Sequence, residues 1–445
     1  MTLVLWSLLG ILPVVALLAW RAGAPLPGLS LAIAGMTLFV GALVATFSTR
    51  YMRSDRRSGR FFATLGGLVA SVLFFVLTGN ALLFVAGWLA SGVLLARLIG
   101  HADEWGEARA AARRSIRTFL LGDLALLAGI GLLCWHGGTL RLDEAIAAVP
   151  AMPAPVVGVI AALLLAAAAA RCALPPFSGW LTSSMTAPTP VSALMHAGLV
   201  NAGGFLLLRF APVLEAAPAV RYAAIAIGLF AALWGIGIMA VSPGIKRSLA
   251  GSTVSQMGFM IVSCGFGAYA AALWHIVAHG LFKAWLFLNA GSAFGTEADR
   301  RPALEPGVVM AVAGITFVVG CVLAVRGTAG GELVPLLLAA ATGAATLGTV
   351  LVGRTGAGSR VAITAMLIGL ALLHLLGFEL ARDALAFADA PLISPTLAVI
   401  VLAAFLGGWI WQSRRIATRS ALPPALYVHL LNAGMLRPLA SGDRP

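Results

Sequence analysis

The sequence predicts an all-α polytopic membrane protein. Sixty per cent of its 445 residues are apolar and only 10% are charged, with a mean hydropathy of +0.99. Soluble domains carry roughly 25% charged residues, so water is not the main solvent of this chain. The apolar residues fall into long runs with arginines in the short loops between them. A helix needs about 20 such residues to cross roughly 30 Å of hydrocarbon. No alternating barrel pattern is present, which leaves helices to satisfy the lipid-facing backbone.

In chain order the runs place spans near 2–20, 26–47, 61–78, 81–100, 116–136, 154–186, 191–213, 220–240, 248–268, 271–294, 307–325, 333–352, 360–380 and 395–413. That makes about fourteen transmembrane helices in one membrane domain, 1–420. The run 2–20 is too long for the apolar core of a cleavable signal, and no good cleavage site follows it. The tail, 421–445, reads as an interfacial or partner-docking segment. The four cysteines are scattered in apolar surroundings with no CxxC pair, which supports neither a disulfide framework nor a cysteine zinc site.

Loop charges set the expected orientation. Arg50, Arg53, Arg56, Arg57 and Arg60 follow span two, and Arg109, Arg113, Arg114 and Arg117 follow span four. Later even-numbered loops hold Lys246 with Arg247, Arg300 with Arg301, and Arg354 with Arg360, whereas odd-numbered loops carry only residues such as Arg21, Arg141 and Arg382. Excess Lys and Arg stay cytoplasmic, so both termini are expected in the cytoplasm, with the chain in the cell inner membrane. The same distribution accounts for the net charge of +13 without a nucleic-acid surface.

Polar residues inside spans mark candidate functional positions, because lipid makes them costly. Span six is too long for one straight crossing, and Leu174-Pro175-Pro176 interrupts it directly after Arg171. Proline removes a donor and disturbs the preceding turn, so carbonyls near Ala170 are expected to need other partners; such breaks recur at transporter sites. His275, His279 and Lys283 in span ten are spaced by four, which puts them on one helix stripe rising about 6 Å per step. Imidazoles and a desolvated lysine can both exchange protons near neutral pH. Lys283 and Lys246 are the only lysines, and Lys246 reads as a loop residue. Intramembrane Arg, by contrast, stays protonated. Two further candidates are Asp123, inside span five and in need of a partner, and His196, just after Pro188-Thr189-Pro190. Packing by core histidines is the plain alternative for the stripe, and a zinc reading of the His275–His279 spacing lacks a further ligand. Trp88, Trp180, Trp234 and Trp411 read as packing residues or interface anchors.

Three segments carry a family resemblance. Ala187-Pro-Thr-Pro-Val-Ser-Ala-Leu-Met-His196-Ala resembles the pattern GPTPVSALIHAA of the proton-translocating antiporter subunits of complex I. The run from Ile245 to Gly291 resembles that family's second long signature, and Ser48-Thr-Arg-Tyr-Met52 with Arg60-Phe-Phe resembles its early loop. The match runs in order over roughly residues 45–295 and implies an antiporter-like fold. His196-Ala-Gly-Leu-Val-Asn-Ala-Gly-Gly204 and the closing Ala425-Leu-Tyr-Val-His429 are most similar to membrane subunits of inorganic-carbon-accumulating (DAC) complexes. The resemblance implies a large soluble zinc-containing partner of the DabA type that converts carbon dioxide to bicarbonate, with no cofactor in this chain. Three departures stand out. Leu89 replaces the family Glu after the tryptophan of span four, and Arg171 replaces the broken-helix Lys. No counterpart of the family's second broken helix follows Gly307.

The expected function is therefore translocation of a cation, most simply a proton, through Asp123, Arg171, His196, His275, His279 and Lys283, coupled to such a partner. The alternatives are a subunit of a respiratory complex or cation/proton antiporter, and a passive membrane anchor.

Overall fold

The computed structural model describes residues 1–23, 26–242, 244–290, 306–326, 330–352, 357–385, 393–418 and 422–433. Among these, fourteen helices are long and apolar enough to cross a membrane. The first group is α1 (Thr2–Arg21), α2 (Gly28–Tyr51), α3 (Ser58–Leu77), α4 (Ala81–Ile99), α5 (Gly106–Gly137) and α6 (Ala154–Arg171). The next span is built from two pieces, α7 (Thr189–Ala197) and α8 (Ala202–Arg209). Then come α9 (Pro218–Val241), α10 (Ile245–Phe266), α11 (Tyr269–Leu288), α12 (Pro306–Val325), α13 (Leu333–Val352), α14 (Ala357–Ala384) and α15 (Pro395–Thr418). A short helix, α16 (Pro424–Asn432), follows. Arg300, Arg301, Arg354 and the tail beyond residue 433 lie outside the described residues.

Burial differs widely among the spans. The α7–α8 span is 94% buried, whereas α1 is 6% buried and α14 is 11% buried over their apolar windows. Leucines such as Leu370, Leu372 and Leu376 stand exposed on α14, which suits a lipid-facing helix. The interior forms because small residues let backbones approach. At the α9–α10 seam, a methyl on Gly258 would lie 2.4 Å from the Gly228 carbonyl oxygen.

The arginine-rich loops meet at one end of the bundle. Asp103, between α4 and α5, accepts hydrogen bonds from Arg57 and, at 3.1 Å, from Arg60, which ties that turn to the α2–α3 turn. There Asp55 accepts from the Arg57 backbone N–H at 2.7 Å and lies 3.0 Å from the His101 ring. At the opposite end, Asn80 caps α4 by accepting from the N–H groups of Leu82 and Leu83, and Arg209 pairs with Asp143 at 2.8 Å. The segment α16 lies back on the bundle. Leu430 is buried against Gly237 of α9, and Arg247 donates to the carbonyls of Leu431 and Ala433, the latter at 3.1 Å.

Candidate functional site

Two of the polar sites inside the bundle lie beside interrupted helices. The first forms where α6 stops at Arg171. Ala173 takes a left-handed φ of 55°, and the two prolines bring no N–H to continue the ladder. The Leu174 N–H, which a continuing helix would give to Ala170, goes to the Ala169 carbonyl at 3.0 Å. The freed Ala170 carbonyl accepts from Trp180 Nε1 at 3.0 Å. A break in lipid survives only when protein satisfies it in this way.

At that break Arg171 is only 2% exposed. Its Nη2 donates to Asp123 Oδ1 at 3.1 Å and to the Trp88 carbonyl at 3.2 Å, and its Nη1 reaches Ser91 Oγ at 3.4 Å. Trp88 Nε1 donates to the same Asp123 oxygen at 2.9 Å. The guanidinium carbon also lies 4.5 Å from the Trp88 ring centroid and 4.9 Å from that of Phe119. The buried side-chain atoms left without a partner include none from this group. The geometry corrects two expectations. The carboxylate that Leu89 denies to α4 is supplied by Asp123 on α5. Of the two roles expected for Trp88 and Trp180, packing holds and interface anchoring does not; both are buried and are also hydrogen-bond donors of the site.

The second interruption carries no proline and was not expected. After α7 the chain passes through Gly198 and a short 3₁₀ turn, Leu199–Asn201, before α8 begins. Asn201 Nδ2 returns to the Ala197 carbonyl at 2.7 Å. Helix α11 presses on this bend so closely that a methyl on Gly280 would lie 2.6 Å from the Ala197 oxygen. The glycines of the run Gly198–Gly204 were the available signal. The two breaks abut, and the Cys172 thiol donates to the Val200 carbonyl at 3.1 Å.

Here the structure brings together His196, His275, His279 and Lys283. The rings of His275 and His279 stack 5.5 Å apart on α11, and Lys283, 1% exposed, stands one turn further on. Lys283 Nζ donates to the Leu249 carbonyl at 3.2 Å, and Thr253 Oγ1 donates to the same carbonyl at 2.9 Å. Thr253 in turn lies 3.0 Å from His196 Nδ1. A hydroxyl has one hydrogen; since it goes to Leu249, His196 Nδ1 must carry the donor and Nε2 the lone pair. His196 is fully buried and stacks on Phe287, 4.3 Å away. The Nε2 atoms of His196, His275 and His279 are all buried with no partner. The sequence did not reveal Thr253, the Leu249 carbonyl or Phe287, because their part depends on α7, α10 and α11 lying together. Lys246 also differs from expectation: it belongs to the first turn of α10, and its Nζ donates to the Ala187 carbonyl at 3.0 Å.

The family profile "NADH:quinone oxidoreductase/Mrp antiporter, TM" matches residues 78–325, more than half of the 445. The chain belongs to this family. The profile "NADH-Ubiquinone oxidoreductase (complex I), chain 5 N-terminus" matches residues 18–62. The chain is 32% identical over 429 residues to the probable inorganic carbon transporter subunit DabB of Bacillus subtilis, covering 92% of this chain and 83% of that one. It is 39% identical over 270 residues to the probable inorganic carbon transporter subunit DabB1 of Halothiobacillus neapolitanus, covering 59% and 48%. With NADH-quinone oxidoreductase subunit L of Mycobacterium tuberculosis it shares 36% over 281 residues, covering 62% and 44%. The chain thus spans about half the length of these last two relatives. The Mrp complex of Dietzia sp. contains a chain of the same fold, with a TM-score of 0.61 at 24% identity over 97% of this chain and 52% of that one. An archaeal respiratory membrane complex, the membrane-bound sulfane sulfur reductase, contains another, with a TM-score of 0.62 at 17% identity over 94% and 93%. As a member of this antiporter-like family, the protein is a multi-pass membrane protein.

Proposed function

We propose that this chain is the proton-translocating subunit of an energy-coupled inorganic carbon transporter. The observation that carries the reading is the row of buried imidazole nitrogens without partners, His275 and His279, leading to Lys283 and, through Leu249 and Thr253, to His196. Buried side-chain polar atoms mostly find a partner, and here three imidazole nitrogens near one another have none in the protein. Lys283 is the one amine on the histidine stripe that can release a proton, since Lys246 sits in the first turn of α10 and Arg171 stays charged in its pair. The names of the DabB relatives support the inorganic-carbon part of the reading.

In this reading a large soluble zinc-containing subunit of the DabA type hydrates carbon dioxide, and zinc belongs to that partner. Proton flow drives or gates it; one charge crossing 100 mV releases about 2.3 kcal/mol. The complex sits in the cell inner membrane, with both termini and the arginine-rich end cytoplasmic. The test is co-purification of the tagged chain, followed by growth of a carbonic-anhydrase-deficient host in ambient air. A zinc subunit should co-purify, and growth should need both proteins. Co-purification of redox subunits instead would favour a respiratory complex, the reading that the subunit L relative supports.

A further inference from the structure

A fourth histidine reaches the stripe from outside the matched signatures. His374 lies on α14, a helix whose neighbouring side chains Leu370, Leu372, Leu373, Leu375 and Leu376 are exposed for lipid contact. A lone imidazole there is costly unless it is held. Trp274 of α11 holds it, with Nε1 donating to His374 Nδ1 at 2.8 Å. The contact requires α14 to be bare at this height: a methyl on Gly377 would lie 2.2 Å from the Trp274 ring. Trp274 immediately precedes His275, whose ring bonds the backbone of Gln256 and whose Nε2 is buried and unpartnered.

We propose that His374 is the entry carrier of the proton path, feeding His275 from the end of the bundle opposite the arginine-rich loops, and that Trp274 latches it in its neutral form. The inference rests on the proton-translocating reading above. An indole N–H only donates, so in the latched state His374 Nδ1 carries the lone pair and Nε2 the hydrogen. A proton arriving from the aqueous end binds Nδ1 and breaks the Trp274 bond, because an imidazolium is a donor at both nitrogens. The released ring passes that same proton to the Nε2 lone pair of His275. Its own Nδ1 lone pair is then free again for Trp274, and the ring returns to its starting tautomer.

The groups around His374 suit this direction of entry. On its own helix Glu379 and Arg382 lie towards that end, Arg382 bonding Glu379 at 3.1 Å and Glu332 before α13 at 3.3 Å. His275 faces it from α11, while α2, which also packs on α14, has Arg50 as its only charged residue, near its far end. Carboxylates therefore stand between His374 and the aqueous end, where they would gather protons.

The test is proton flux into vesicles made from cells producing the complete complex, with a pH-sensitive dye trapped inside. His374→Gln keeps a neutral polar side chain but carries no proton, and should cut flux at least about tenfold with the complex still assembled. Trp274→Phe removes the latch and keeps the carrier, so flux should fall by less than in His374→Gln; an equal fall would overturn the latch. Wild-type flux in assembled His374→Gln would overturn the inference while leaving the proton reading in place. Wild-type flux in Lys283→Met would remove that reading, and the inference with it.

Discussion

The Arg171 and Lys283 sites each place a cation beside an interrupted helix, yet they use their hydrogen bonds differently. Around Arg171 a carboxylate, a hydroxyl, a backbone carbonyl and two aromatic faces enclose the guanidinium. Around Lys283 a single carbonyl meets the amine, and three nearby imidazoles keep a nitrogen idle. The first arrangement has nothing left to exchange. The second has a chargeable amine and vacant lone pairs on one stripe. A buried charge that is fully paired acts as structure, whereas the proposed proton path needs one that is held loosely.

The largest expected effect tests the second site. Lys283→Met and Lys283→Arg should each lower carbon-dependent proton flux at least about a hundredfold, with the assembled complex present in normal amount. Function in Lys283→Arg would show that only the charge matters, and would make the two sites alike.

The next tests the first site. Asp123→Leu leaves Arg171 buried and uncompensated, so the chain should lose about 3–5 kcal/mol and accumulate poorly in membranes. Removing both charges, as Asp123→Leu with Arg171→Met, should restore accumulation and preserve flux. An assembled double variant without flux would show that the pair conducts, and the contrast would fail.

A smaller effect belongs to the break itself. Trp180→Phe keeps the ring against Phe119 but strands the Ala170 carbonyl, which should cost about 1–3 kcal/mol in stability of the purified complex and leave flux per complex unchanged.

The smallest effect lies outside the membrane, in the turn that joins the arginine-rich loops. The Arg57 backbone N–H, with help from His101, holds the Asp55 carboxyl below its ordinary value of 3.8. A carboxylate with a lowered folded pKa contributes above its unfolded value and is lost as pH falls through the folded one. Hydrogen exchange of the 52–57 turn, corrected for its intrinsic rate, should therefore be constant from neutral pH down to about 5 and rise only below about 3.8. Asp55→Asn should show the faster exchange already at neutral pH. Equal exchange in both proteins would remove this turn as a tie between the loops.

Much of this was legible in the residues. Hydropathy marks spans because lipid tolerates little else, and the spacing of His275, His279 and Lys283 fixes them on one face of any helix. The proline pair announced the break after Arg171. Pairing across helices was not legible: nothing in the chain says that α5 lies against α6, so Asp123 and Arg171 looked like two separate liabilities. The bend at Gly198 was hidden because glycine permits a break without forcing one. His374 was passed over because a single histidine in an apolar run gives no periodic signal, and its partner Trp274 lies a hundred residues away.

The thiol bond between Cys172 and the Val200 carbonyl has a mechanical consequence. It joins the two interruptions sideways, one residue after Arg171 and four residues after His196. Where α8 crosses there, a methyl on Gly203 would lie 2.5 Å from both that sulfur and the Ala168 oxygen, so no slack remains between the broken helices. They behave as one riveted block rather than two joints. The paired Arg171 and Asp123 on one side then serve as an abutment that fixes the alignment of the histidine side.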